Sequence, residues 1–378
     1  MRRSAIIKEV VTVINFQATK IEMVIAQRII NNNIKIIASS LSDYAGYIDG
    51  EFLDEEALSD SIAIAKQRVE EIYGKKIKSV YIGVPAEFCN YALKNLKASY
   101  PNKIVIKDKN IQELFESVGD HELSDDYLVV SKSPIYYVLD SVQTMEPQYS
   151  LSKNMGVKAS LILAKNSFVD LMNNILGNLG VNSIEFVPNI LAVGMSLLDE
   201  SVRRMGSIII DFDYVSTSVY SIMGEGIVDL KTFAIGEGHI ISDLCEVLKL
   251  NYFNVEKLKN QIILTLQSNP MDNYEIKDEN NNLIKINSSL ANEVVKARID
   301  MIGETIDKIL LNFQFKQEDG PIYITGSGLT YLKGIKNYLS SVLHRECEIL
   351  APKQVEYNNP KYARMVSLIN FIISQNKN

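Results

Sequence analysis

The chain has 378 residues, 47% of them apolar and 22% charged, with a formal net charge of −7. That length exceeds the roughly 250–300 residues at which a single core stops growing, so at least two cores are expected. The acidic balance argues against a general nucleic-acid binder, which presents a basic face, and the widely spaced Cys89, Cys245 and Cys347 exclude a disulfide scaffold or a Cys-based zinc site.

In chain order, the opening MRRSAIIKEVVTVINF must first be weighed as a signal peptide. Lys8 and Glu9 interrupt its apolar run and no small-residue cleavage site follows, so VVTVINF reads as a buried strand. No segment approaches the ~20 continuous apolar residues of a membrane span, and a cytoplasmic location is expected. KIEMVIAQRII and IKIIASSLS read as two more strands, joined by a turn at Asn31-Asn32-Asn33, because asparagine tolerates positive φ. In DEEALSDSIAIAKQRVEEIYG the apolar Ala57, Leu58, Ile62, Ala65, Val69 and Ile72 recur at helical spacing, and Gly74 supplies the stop. Strand SVYIGVP follows.

Residues 86–164 change character. A polar strand, a short helix (NIQELFESVG), the strands YLVVSKSPIYYVL and KASLILA, and the turn-rich MEPQYSLSKNMG read as a small α+β module. Helix KNSFVDLMNNILGNLG, strand VNSIEFVP and helix NILAVGMSLLDESVRR then return to the strand-and-helix pattern of the first unit, which makes the module an insertion. From Gly206 a second meander, GSIIIDFD, STSVYSIMG and GIVDLKTFAIG with helix HIISDLCEVLKL, repeats the element order of residues 10–72. Residues 251–319 carry the turn DENNN and the long amphipathic helix SLANEVVKARIDMIGETIDKILLNF. Strand IYIT then meets Gly326-Ser327-Gly328 and a helical pattern, and NPKYARMVSLINFIISQ ends the chain as a helix. Strand, glycine turn and helix form a shape that cradles phosphate, and equally a turn where the backbone reverses. The scattered His121, His239 and His344 offer no metal centre.

Two α/β units, each opening with a hairpin and joined by that strand–glycine–helix element, have the layout of the actin-like ATPase fold. YAGYIDGEFLDEEAL…KKIKSVYIGVP (44–85), NMGVKASLILA, GVNSIEFVPNILAVGMSLL and NPKYARMVSLINF resemble the bacterial cell-division actin FtsA over nearly the whole chain. The pilus-assembly protein PilM shares the fold and the inserted module. The resemblance implies an α/β protein of two lobes around a cleft. The first lobe is 1–85 with 165–205 and 352–378, carrying an FtsA-type inserted subdomain at 86–164. The second is 206–250 with 320–351, and 251–319 is its small subdomain.

What the resemblance implies for a nucleotide site is mixed. In INFQATKI the family's Thr19 and Lys20 are present, but Asn15 replaces an aspartate that helps hold Mg²⁺ and Gln17 replaces a glycine that lets backbone approach phosphate. DFDYVSTSVY keeps Asp211, Ser216 and Thr217 but has Asp213 where the pattern has glycine. Val187 precedes Pro188 where many members have glutamate, and valine cannot orient water. Gly236 and Gly238 of AIGEGHI and Gly326-Ser327-Gly328 are intact. Glu256 and Lys259 of NVEKLKN stand i to i+3, either as an adenosine clasp or as an ordinary ion pair. The implied cofactor is ATP or ADP, held weakly or not at all, with phosphates at Gly326-Ser327-Gly328, with Mg²⁺ disfavoured and hydrolysis absent or very slow.

The implied partner is the acidic C-terminal tail of the tubulin-like FtsZ or another division or membrane protein, with self-association left open. Lys296 and Arg298 of NEVVKARIDMIGETI are the matching basic residues, and the alternative is a solvated helix face with Glu293 and Asp300 as intrahelical partners. The sequence ends at Asn378 without the linker and amphipathic helix by which FtsA lies on the bilayer, so either membrane attachment comes through a partner or the chain is shortened. A non-catalytic FtsA-like division scaffold is the first reading. A PilM-like adaptor in type IV pilus assembly is the alternative, and an active ATPase or sugar kinase of the same fold is the reading that Asn15, Asp213 and Val187 oppose.

Overall fold

The computed structural model describes residues 10–29, 33–48, 50–118, 125–265, 269 and 271–375. Asn31 and Asn32 of the expected turn, Asp49 and His121 lie outside the described residues. Strands β1 (Val10–Gln17) and β2 (Lys20–Arg28) form a hairpin around Ala18-Thr19, with Asn15 opposite Glu22, and β3 (Ile34–Asp43) pairs antiparallel with β2. A short ribbon, β4 (Tyr47–Ile48) and β5 (Glu51–Phe52), leads into helix α1 (Glu55–Tyr73). Asp54 caps α1 by accepting a 2.9 Å bond from the Ala57 amide, and Gly74 ends it at φ 74°. Leu58, Ile62, Ala65 and Val69 are buried as expected, but Ile72 is exposed, because Tyr73 takes the next inward position.

Strand β6 (Ser79–Val84) runs parallel to β1. The chain then builds a separate sheet from β7 (Cys89–Val105), β8 (Tyr127–Leu139), β9 (Val142–Thr144) and β10 (Leu151–Lys165), in order β7-β10-β8-β9, with α2 (Asp108–Glu116) between β7 and β8. Leu114 of α2 packs with Tyr137, Leu139, Met155 and Val157 on one face of it. After α3 (Asn166–Asn178), β11 (Ser183–Pro188) returns to the first sheet, whose order is β11-β6-β1-β2-β3.

NILAVGMSLLDESVRR forms two helices where one was expected, α4 (Asn189–Leu197) and α5 (Glu200–Met205). Leu198 between them is extended, and its carbonyl accepts a 2.6 Å bond from the buried Arg203 guanidinium, so a side-chain bond takes over from the helix ladder. Strands β12 (Ser207–Phe212), β13 (Thr217–Met223) and β14 (Gly226–Phe233) are followed by α6 (Glu237–Leu248) and α7 (Tyr252–Lys259). A β15 (Asn273–Lys277) and β16 (Leu283–Asn287) hairpin and α8 (Ser288–Asn312) come next. Then β17 (Ile322–Thr325), α9 (Ile335–Val342), β18 (Cys347–Ile349) and α10 (Ala363–Gln375) complete the chain, and the second sheet has the order β14-β13-β12-β17-β18.

The first sheet carries α1 and α3 on one face, and on the other Val11, Val13, Val24 and Ala26 meet Met365, Val366, Leu368 and Ile369 of α10. One face of the second sheet is covered by α6 to α9. Its other face, through Ile209, Tyr220 and Ile222, meets Ile190 and Leu191 of α4. Helix α4 therefore lies between the two sheets, which explains why NILAVGMSL is apolar nearly all round. The separate sheet also touches the second lobe: the Glu225 amide donates to the Pro134 carbonyl at 3.0 Å, and Ser160 Oγ to the Ile227 carbonyl at 2.6 Å.

Candidate functional site

Strands β12 and β17 are parallel neighbours with Asp211 beside Thr325, so their carboxyl ends deliver residues 211–216 and 326–328 to one place. The glycines singled out in the sequence close on that segment. A Cβ on Gly326, whose φ is 91°, would lie 2.1 Å from the Phe212 carbonyl oxygen and 2.4 Å from Asp211 Oδ1. A Cβ on Gly328 or on Gly236 would lie 2.4 Å from the Asp213 carbonyl oxygen, and one on Gly238 2.9 Å from the Tyr214 ring. Glycine is required at 236, 326 and 328 because the chain's own backbone comes so near.

Of the groups that the sequence assigns to phosphate, the Gly238 and Gly328 amides and the Ser216 and Thr217 hydroxyls are engaged within the chain. The Gly328 amide donates to the Phe212 carbonyl at 3.0 Å, the Glu237 amide to Asp213 at 3.0 Å and the Gly238 amide to Tyr214 at 2.8 Å. The Tyr214 amide donates to Asp213 Oδ1 at 2.7 Å. Thr217 Oγ1 donates to the Ile235 carbonyl at 2.7 Å, and Ser216 Oγ donates to the Glu87 carboxylate. Ser327 is exposed.

The helix expected directly after Gly328 begins only at Ile335. Residues 329–334 turn instead, since Thr330 Oγ1 bonds back to the Gly326 carbonyl at 2.6 Å and the Leu264 amide donates to the Lys333 carbonyl at 2.9 Å. The helix amides that were expected to face a phosphate at this turn belong to residues further along.

Arg364, to which no sequence motif points, sits at the centre of the site. Its Nε donates to Asp211 Oδ2 at 2.9 Å and its Nη1 to Asp213 Oδ2. Burial alone would depress the guanidinium, yet Asp211 and Asp213 hold it well above its ordinary value. Nearby, burial pushes the Glu87 carboxyl up, with Arg364 and Ser216 opposing. The available signal is a lone charge in the otherwise uncharged helix ARMVSLINFIISQ.

In the first hairpin, the buried Asn15 donates from Nδ2 to Glu22 Oε2 at 3.0 Å and Gln17 Nε2 to the same oxygen at 3.3 Å. Burial raises the Glu22 carboxyl and these two amides counter it. A carboxylate thus stands one strand across from the missing aspartate, and the register of β1 and β2 would have revealed it. Thr19 is exposed and its carbonyl accepts from the Tyr44 amide at 2.9 Å, and Lys20 lies 3.9 Å from Asp43. Val187 is buried in the core.

Glu256 and Lys259 do meet, as part of a larger cluster. Lys259 Nζ donates to Glu237 Oε1 at 2.6 Å and to Glu256 Oε1 at 3.0 Å, and it lies 5.2 Å from the centroid of the Tyr331 ring. Glu237 and Tyr331 were not foreseen. On α8, Arg298 makes a bidentate pair with Asp243 of α6 at 2.6 and 2.7 Å, in place of the intrahelical partners of the alternative reading. Glu293 takes the Ser289 hydroxyl, Asp300 takes the Tyr338 hydroxyl, and Lys296 lies over the Tyr338 ring at 5.6 Å. Among the described residues no group of three or more His, Cys, Asp or Glu side chains is placed to hold a metal ion, and no helix is long and apolar enough to cross a membrane.

No protein-family model matches the chain. It is 23% identical over 346 residues to the cell division protein FtsA of Streptococcus pneumoniae serotype 2, covering 90% of this chain and 75% of that protein. FtsA of Enterococcus hirae is 20% identical over 358 residues, or 93% of this chain and 80% of that protein. Among solved structures, the PilM-PilN type IV pilus biogenesis complex matches with a TM-score of 0.63 at 12% identity, over 95% of this chain and 98% of that one. MreB 5 of Spiroplasma citri bound to AMPPNP matches at 0.59 and 11%, over 98% and 97%. The fold is the actin-like ATPase fold, and the similarity to FtsA extends along nearly the whole chain.

Proposed function

We propose that this chain is a cytoplasmic cell-division scaffold of the FtsA kind that acts through protein contacts and does not turn over ATP. The observation that carries this reading is the engagement of the cradle's donors, from Gly328, Glu237 and Gly238, by the carbonyls of residues 212–214. A triphosphate with its magnesium does not fit these residues as arranged. It would have to break those amide bonds and displace Arg364. It would also lie near Asp213, where like charge costs ~1–4 kcal/mol at effective dielectrics of roughly 20–80. Asn15 supplies no charge for Mg²⁺, and the buried Val187 cannot orient water.

The likeness to FtsA supports division partners, with recruitment to the inner face of the membrane by one of them. The likeness to PilM is one of fold and adds no weight to the pilus reading. For an acidic tail, Lys296 is the better-placed contact, since Arg298 is already committed to Asp243. Anisotropy titration of a labelled peptide bearing the acidic C-terminal tail of the host's tubulin-like division protein tests this. Binding that Lys296→Glu weakens by roughly fivefold is expected, the size of a partly exposed ion pair. A folded protein that ignores the peptide would contradict it.

A further inference from the structure

Arg364 joins the two sheets across their cleft. Helix α10 is anchored on the first sheet by Met365, Val366, Leu368 and Ile369, yet Arg364 reaches Asp211 and Asp213 of the second. It does so from the first turn of α10, where the helix dipole disfavours a cation, so the carboxylates must supply what the helix does not. Its side chain is only 16% exposed. A second polar bond, Ser216 to Glu87, runs from the loop before β13 to the turn after β6.

We infer that Arg364 is a built-in latch: a contact that holds the two lobes closed around their cleft without any ligand. Buried arginine–carboxylate clusters resist removal of one member because a bare charge remains, whereas removal of the whole cluster is tolerated. The informative variant is therefore the triple Asp211→Asn, Asp213→Asn, Arg364→Met, which strands no charge. Its amide hydrogen exchange and small-angle scattering are compared with the wild type, with no nucleotide or division partner present, so the outcome is independent of the proposed function. The latch predicts a folded triple variant with a larger radius of gyration. It also predicts exchange at least ~10-fold faster across residues 213–217 and 326–330, with β7 and β10 unchanged, as local opening requires. A folded triple variant with wild-type exchange and dimensions would make Arg364 an ordinary core ion pair and overturn the latch. A triple variant that unfolds would make the cluster a pillar of the core, which overturns it equally.

Discussion

Gly326 combines a φ of 91° with no room for a side chain, since the Phe212 carbonyl oxygen would lie 2.1 Å from its Cβ. Left-handed backbone costs an L-residue roughly 1–2 kcal/mol, and overlap with a rigid carbonyl costs about as much again or more. Gly326→Ala should therefore lower the unfolding free energy by about 2–4 kcal/mol in urea denaturation, with no nucleotide in the buffer. A variant within ~0.5 kcal/mol of wild type would show that the turn has slack the geometry denies. The need for glycine at 236, 326 and 328 was legible from the sequence. What approaches them was not, because a close backbone and a close phosphate make the same demand on a Cβ. Arg364 shows the converse: its partners Asp211 and Asp213 are 153 and 151 residues away along the chain, a separation no local pattern encodes.

Helix α1 shows how an element is tied to its neighbours by charge. Burial would raise the Glu70 carboxyl, but Lys66, Lys76 and the Ile77 amide together bring it down from 4.5 to about 2. Glu70 is 7% exposed and accepts from Lys66 Nζ at 2.7 Å, Lys76 Nζ at 2.7 Å and the Ile77 amide at 2.8 Å, which pins the end of α1 to the approach to β6. A carboxyl depressed in the folded state adds stability that is complete above its unfolded value and lost as pH falls through the folded one. Stability should thus drop by about 3 kcal/mol between roughly pH 4.5 and pH 2 from this group alone. Glu70→Gln should be less stable at pH 7 and should show a flatter decline over that window in acid-titrated denaturation. An unchanged pH profile would contradict the assignment. At this scale the element order was largely readable, because apolar alternation and 3.6-residue spacing are local. In the two misread segments, 198–199 and 329–334, a side chain five residues on, Arg203, or a distant amide, Leu264, claims a backbone carbonyl that a helix would have used.

For the whole molecule, the apolar α4 between two five-stranded sheets is what brings the ends of β12 and β17 to face the first lobe. The actin-like layout and the likeness to FtsA could be reached from short matching stretches, since each maps onto a strand, turn or helix that the fold reuses. Whether the cleft still serves a nucleotide could not, because that depends on how residues 211–216, Arg364 and Glu87 fill it together. The most direct test is calorimetric titration of the wild-type protein with ATP at millimolar concentration, with and without Mg²⁺, followed by phosphate release on the same sample. Engagement of the cradle by the protein's own groups predicts affinity no tighter than about 1 mM and release equal to a no-protein control. Magnesium-dependent binding near 1 μM or tighter, with steady phosphate release lost on Asp211→Ala, would contradict it.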